Sequence, residues 1–280
     1  MREINVQQVT LTVRKLFMQA NTHLGHDVIC ALQRAQKQEA SPIGRQVLEK
    51  ILQNADIARE SAMPICQDTG LAVLFVEIGQ DARVVGGDLR AAIEEGVRQA
   101  YEDGFLRKSV CDPLTRINTR DNTPAVIHMD MVQGDRLRII AMPKGGGSEN
   151  MSAARMLTPS AGIDGIEKFV LETVEKAGAN PCPPIIVGIG IGGSLEQACL
   201  LAKKALLRET GKAHPSDPRL TQMEKKLYEQ INALGIGPAG LGGKVTTLAV
   251  HAEMTPCHIA SLPVAVNIQC HVARHQEATL

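Results

Sequence analysis

The stretch Pro184-Ile185-Ile186-Val187-Gly188-Ile189-Gly190-Ile191-Gly192-Gly193-Ser194 decides which kind of α/β protein this chain is. Pro184 to Ile189 is an apolar, β-branched run that predicts a buried strand, and Ser194 is a capping residue that predicts a helix from Ser194 to Arg208. Gly188, Gly190 and Gly193 spell G-x-G-x-x-G in the strand-to-helix context that a dinucleotide fingerprint requires. Two features oppose that reading. The strand opens on Pro181-Cys182-Pro183-Pro184 rather than on a free parallel-sheet entry, and Glu209 follows Gly193 by only 16 residues and at a helix end. The competing reading is that the glycines permit close packing and aim the backbone N–H groups of a helix start at an anion such as a carboxylate.

Outward from this segment, helical and strand periods alternate along the chain. Val6, Val9, Val13, Leu16, Phe17 and Ala20 recur at helical spacing, and Ser41-Pro42 opens a helix with Ile43, Val47, Ile51 and Ala55 on one face, stopped by Met63-Pro64. Leu71 to Ile78 is a nearly continuous apolar run that predicts a buried strand, and Asp88 caps a helix that ends at Gly104. From Ala125 the period becomes two, and Ala125–Val132 and Arg136–Met142, separated by Gln133-Gly134-Asp135, predict a hairpin. Helices over about 160–177 and from Pro218 to before Gly235, and strands over 245–253 and 262–268, complete the pattern. The class is mixed α/β with interspersed helices and mostly antiparallel or mixed sheets, expected as one domain over 1–280 with a helical part over about 1–62.

A chain of 280 residues is long enough to bury about 75% of its unfolded surface. It is 44% hydrophobic with 30 Lys+Arg against 30 Asp+Glu, which excludes a disordered composition and removes the basic footprint of nucleic-acid or membrane-surface binding. Aromatics make up only 2%, with no Trp, so no stacking surface for bases is expected. The seven cysteines are odd in number and scattered, which argues against a disulfide framework and for a reducing, cytoplasmic setting. No leader-like N-terminus and no apolar run near 18 residues is seen, so a soluble protein is expected.

Three of the cysteines share one topological address, a polar bend abutting a buried β segment. Cys66 lies in Pro64-Ile65-Cys66-Gln67-Asp68-Thr69-Gly70, Cys182 lies among prolines at the mouth of the 184–189 strand, and Cys270 ends the last strand, followed by His271, Arg274 and His275. Cys30 and Cys199 fall within helical apolar patterns and read as core thiols. From residue chemistry alone, an iron–sulfur centre and a zinc site of Cys66, Cys182, Cys270 and a His both stay open. Lys144-Gly145-Gly146-Gly147-Ser148 is not a phosphate loop, because its lysine precedes the glycines, but three glycines after a strand let a small ligand touch the backbone.

The motifs PICQDTG, KGGGSEN, NPCPPIIVGIGIGGS, LGIGPAGLGG and HIASLPVAVNIQC together resemble the α subunit of two-subunit, iron–sulfur class I fumarate hydratases and the similar L-tartrate dehydratases. The resemblance covers about Ala62 to Arg274. It implies the class I fumarase N-terminal (α) type of fold and a [4Fe–4S] cluster held by Cys66, Cys182 and Cys270, with one iron open to substrate. It further implies catalytic roles for Asp68 and His258, and contacts to a small dicarboxylate from Gln67, Arg107 and the backbone of Gly146 and Gly147. A separate β subunit would supply the catalytic base and further cationic groups, in an assembly expected to be α2β2. The pattern departs from the family at His271, where an aromatic commonly follows the third cysteine. The expected activity is the interconversion of malate and fumarate, with tartrate dehydration as the alternative within the family and an oxidoreductase or zinc scaffold outside it.

Overall fold

The computed structural model describes residues 2–280. In chain order the elements are β1 (Arg2–Asn5), α1 (Val6–Thr22), α2 (His26–Gln38), α3 (Pro42–Ser61), β2 (Leu71–Gly79), β3 (Ala82–Val85) and α4 (Leu89–Asp103). There follow β4 (Val126–Val132), β5 (Leu137–Lys144), α5 (Gly146–Glu149), β6 (Ala153–Leu157), α6 (Gly162–Ala177), β7 (Ile185–Gly192) and α7 (Leu195–Ala205). The chain closes with α8 (Pro218–Ala233), β8 (Thr247–Thr255), β9 (Leu262–Gln269) and β10 (Gln276–Thr279). The fold is mixed α/β with mixed sheets, and it divides into two compact units: one of Met1–Gly25, Asn54–Gly146 and Arg274–Leu280, the other of His26–Gln53 and Gly147–Ala273.

The first unit is built on a four-stranded sheet in the order β10-β5-β2-β4, in which β2 pairs parallel with β4 and antiparallel with β5. The expected hairpin of β4 and β5 is therefore not formed. β2 is the most apolar strand of the three, buried from Ala72 to Val76, and it takes the centre with a partner on each edge. The Gln133-Gly134-Asp135 turn instead passes the end of β2, where Val132 and Gly134 carbonyls accept N–H bonds from Gln80 and Asp81. α1 and α4 lie against this sheet through Val9, Val13, Phe17, Ile93, Val97 and Tyr101, which are buried with Leu74, Val76, Leu137 and Ile139. Asp88 caps α4 by accepting the Ala91 N–H at 2.8 Å, as its position in the sequence predicts.

In the second unit the sheet order is β6-β9-β7-β8, with β7 parallel to β8 and antiparallel to β9. Alternation along β7 then explains its sequence. Ile185, Val187, Ile189 and Ile191 point into a core shared with Ile166, Phe169 and Val170 of α6 and Leu220, Leu227 and Ile231 of α8. Gly188 and Gly190 face the other way, under α7. A Cβ on Gly188 would lie 2.1 Å from the Ala202 oxygen, and one on Gly190 would lie 1.9 Å from the Ala198 oxygen. These glycines are strand residues on which a helix backbone rests, which is why the strand runs on to Gly192 instead of ending at Ile189. The dinucleotide reading loses its ground here, since Gly188 and Gly190 lie within the strand and are covered by the α7 backbone, so they form no open loop that a pyrophosphate could approach.

One buried carboxylate ties this unit together. Glu39, just past α2 and 2% exposed, accepts N–H bonds from Ser41 at 2.9 Å, from Lys244 at 2.9 Å and from Val245 at 2.9 Å. Burial alone would raise its pKa, but the backbone donors outweigh that and hold it below its ordinary 4.5. Because the folded pKa is the lower one, the stabilisation is present above the unfolded value and is lost as pH falls through the folded value. Glu39→Gln is expected to cost about 2 kcal/mol at pH 7, since an amide offers one acceptor oxygen where the carboxylate offers two. In urea denaturation the gap between wild type and variant should narrow below about pH 4.5; a gap constant with pH would mean that the charge is not what counts.

Candidate functional site

The bend between α3 and β2 carries Cys66, Gln67 and Asp68, and hydrogen bonds tie it down on both sides of Cys66 and Gln67. The Ile65 N–H donates to the Asn21 carbonyl, and its own carbonyl accepts from Asn54 Nδ2 at 2.8 Å. The Thr69 hydroxyl donates to the Arg107 carbonyl, and the buried Tyr101 hydroxyl lies 2.8 Å from the Thr69 carbonyl and 2.9 Å from that of Gly70. Burial pushes the Tyr101 hydroxyl up against the pull of the Arg274 charge, so it stays a neutral donor. Asn122 Nδ2 adds a bond to the Gly70 carbonyl. Gly70 itself, at φ +78°, passes so close to β5 that a Cβ would sit 2.7 Å from the Lys144 nitrogen. Within this rigid bend the half-buried Cys66 Sγ accepts the Asp68 N–H at 3.4 Å, and Gln67 is exposed beside it.

Asp68 points its carboxylate at two amides, Gly70 at 3.0 Å and Gly146 at 2.8 Å. The glycine loop thus does not end a hairpin but opens the single turn α5, and its Gly146 N–H is engaged by Asp68. Gly147 is exposed. Arg107, also exposed, follows α4, and its backbone carbonyl is the group that Thr69 holds. All of these except Gly147 belong to the first unit.

The second unit contributes two cysteines and a histidine. Cys182 is exposed at φ +54°, a conformation that costs a non-glycine residue about 1 kcal/mol. It is held there by its N–H bond to the Ala179 carbonyl. The residue after Cys270 binds this turn directly: the His271 N–H donates to the Cys182 carbonyl at 3.4 Å, and His271 Nδ1 lies 2.9 Å from the same oxygen. His271, the residue that departs from the family pattern, thus joins the Cys182 and Cys270 segments. His258 is exposed in the turn between β8 and β9, where Nδ1 accepts the Ala260 N–H at 3.1 Å and leaves the ring proton on Nε2. Cys199 is exposed on α7 rather than in the core, because α7 packs through Ala198, Ala202 and Ala205.

Sequence reasoning named Arg274 only as a neighbour of Cys270, without a role, and passed over the Tyr101–Asn122 pair; these groups hold the Cys66 bend. Arg274 is 4% exposed and donates from Nη2 to the Asp68 carbonyl, while its Nε and Nη1 are buried without partners. The signal in the sequence was an arginine one short turn beyond a strand-ending cysteine, which is ambiguous without the pairing partner.

A family model described as Fumarate hydratase (Fumerase) matches residues 10–279. The chain belongs to the fumarate hydratase family. Its members are hydro-lyases, and the chain is also similar along its length to proteins named for tartrate. A Methanocaldococcus jannaschii protein, provisionally named L(+)-tartrate dehydratase subunit alpha, is 47% identical over 95% of both chains. The L(+)-tartrate dehydratase subunit alpha of Escherichia coli K12 and that of Shigella sonnei are each 33% identical, covering all of this chain and 94% of theirs. The fumarase-type reading of the motifs is thereby borne out at the level of the family.

The donor set suits an iron–sulfur group of the kind the resemblance implies. Cysteine sulfurs at bends, one already accepting a backbone N–H, are what cluster ligation uses, and a buried guanidinium with two partnerless nitrogens beside the Cys66 bend favours an anionic occupant. Among the described residues no three His, Cys, Asp or Glu side chains converge on a point fit for a single metal ion. A cavity of about 760 Å³ in the second unit, lined by His26, Arg34 and His251 among others, contains none of the predicted site residues. Among the described residues no helix is long and apolar enough to cross a membrane.

Proposed function

We propose that this chain is the α subunit of an iron–sulfur-dependent fumarate hydratase, interconverting (S)-malate and fumarate, with a [4Fe–4S] cluster on Cys66, Cys182 and Cys270. The observation that carries the reading is the match of the fumarate hydratase family model to residues 10–279, which takes in every motif bearing these cysteines. When bound, the cluster supplies an open iron that acts as a Lewis acid toward the substrate hydroxyl.

Dehydration breaks the C–OH bond at C2 of malate and a C–H bond at C3; hydroxide and proton leave as water while the C2=C3 bond forms. The chain's own groups divide the remaining work. Arg107 is an exposed guanidinium with the planar fork that takes a carboxylate in bidentate fashion, and the Gly147 N–H adds a neutral donor. Gly146 would join it only by leaving Asp68, so the Asp68–Gly146 bond is a contact that substrate can exchange. Gln67, beside Cys66, offers an amide to orient the substrate. His258, with its proton on Nε2, donates to the hydroxyl being lost. Asp68 keeps its bond from the Gly70 N–H when the Gly146 contact is exchanged, which leaves its other oxygen as an acceptor for the reaction. The base that removes the C3 proton belongs to a β subunit in an α2β2 assembly; the relatives' names as alpha subunits support a second kind of subunit. A reducing cytoplasm suits such a centre.

The relatives' names favour a second reading, the α subunit of L(+)-tartrate dehydratase, which uses the same elimination on a dihydroxy acid. Chain and partner, purified and reconstituted without oxygen, are expected to turn over (S)-malate with kcat/KM at least about ten-fold above that for L(+)-tartrate, a difference of about 1.4 kcal/mol in transition-state binding. The reverse ratio would establish the tartrate reading. A loaded complex that turns over neither acid would sink both.

A further inference from the structure

Arg274 carries a buried charge whose hydrogen-bonding capacity the fold leaves mostly unused. It is 4% exposed, and two of the three nitrogens of its guanidinium are buried with no acceptor. Asp68, the nearest acid in sequence-distant contact, offers only its backbone carbonyl and turns its carboxylate to the amides of Gly70 and Gly146. The Tyr101 hydroxyl, which feels the charges of both Arg274 and Asp68, is neutral. A buried charge left in this state is destabilising unless something anionic is brought near it. Because Nε and Nη1 are closed to solvent, a diffusing dicarboxylate cannot ligate them. The charge must act through its field.

The nearest site for an anionic group is the bend that Arg274 already holds. Asp68 donates its N–H to Cys66 Sγ and gives its carbonyl to Arg274, so a single residue links the sulfur to the guanidinium. We propose that Arg274 is a positioning residue for the cluster-bearing bend: it fixes the Asp68 carbonyl, and its buried charge is the counter-charge to the thiolate-held cluster at Cys66. The proposal rests on the cluster reading given above. It makes the arginine a setting for the cluster's redox poise and hold on iron, since a fixed positive charge nearby favours the more negative, reduced cluster and disfavours oxidation.

The test compares wild type, Arg274→Gln and Arg274→Lys, each as full chain with its partner, reconstituted anaerobically with iron and sulfide. The one-electron midpoint potential is read by electron paramagnetic resonance during dithionite titration, and iron release is followed with a chelator. Arg274→Gln, which keeps a donor and loses the charge, is expected to have a lower midpoint potential and to release iron at least about ten-fold faster. Arg274→Lys is expected to match wild type in both. Wild-type potential and release rate in Arg274→Gln, whatever its thermal stability, would overturn the proposal. Should Arg274→Gln not fold, Arg274→Lys decides: an unchanged potential supports the counter-charge, and a lowered one overturns it. A wild-type complex that takes up no iron and sulfide overturns the cluster reading and this proposal together, whereas a loaded wild type with an indifferent Arg274→Gln overturns this proposal alone.

Discussion

Cys66→Ser, Cys182→Ser and Cys270→Ser each lose the iron–sulfur centre and lower kcat/KM by about a thousand-fold or more, while Cys199→Ser retains both. The magnitude follows from the role: a Lewis acid is worth several kcal/mol at the transition state, and about 4 kcal/mol is a factor of a thousand. Serine preserves the volume of cysteine but not the thiolate that an iron holds. Stability should move little, because the bends do not depend on sulfur. Cys66 is flanked by backbone bonds through Ile65, Thr69 and Gly70, and the Cys182 turn is held by its own N–H and by His271. Cys199 is the control because it is exposed on α7 and belongs to none of these bends. The measurement is iron and sulfide per chain after anaerobic reconstitution, with thermal unfolding alongside. Equal loss at all four positions would mean that thiol replacement damages the fold generally, and would remove the cluster assignment.

The sequence was most legible where one element carries one period. Leu71–Gly79, Leu89–Asp103 and Pro218–Ala233 all begin or end within a residue or so of the signals that predict them, a glycine-bounded apolar run, an aspartate cap and a proline at the first turn. Four-residue strands such as β1, β3 and β10 are too short to show alternation and owe their state to the neighbour they pair with. α2 hides because its inward face is Val28, Ala31, Leu32 and Ala35, where small residues weaken the apolar signal. Pairing was the larger loss. Nothing local says that β2 should insert between β4 and β5, since that follows from β2 being buried on both faces and needing two partners. At the site, motif resemblance identified the cysteines, but Arg274 and Tyr101 act on main-chain carbonyls of the Cys66 bend, and main-chain partners leave no trace in residue type.

Gly190→Ala is expected to destabilise the chain by about 3 kcal/mol or more, although it adds a single methyl group to a strand of high apolar content. The new Cβ would sit 1.9 Å from the Ala198 oxygen and 2.5 Å from the Ala202 nitrogen. Both are backbone atoms of α7, so no side chain can swing aside. Relief requires α7 to withdraw from the sheet, separating Ala198 and Ala202 from Ala265 of β9. α7 also anchors Glu149 through Lys203, and Glu149 accepts from Asn267 of β9, so the withdrawal pulls on the segment that leads to Cys270. Gly147→Ala is the matched comparison, because the nearest atom to its Cβ would be the Asn180 oxygen at 3.9 Å, an ordinary contact. Its stability should change by less than about 0.5 kcal/mol. Urea unfolding followed by far-ultraviolet circular dichroism separates the two. If these glycines served a dinucleotide instead, Gly190→Ala would leave unfolding unchanged and abolish nicotinamide binding, so the pair of measurements tests by energetics which of the two uses of G-x-G-x-x-G this strand serves.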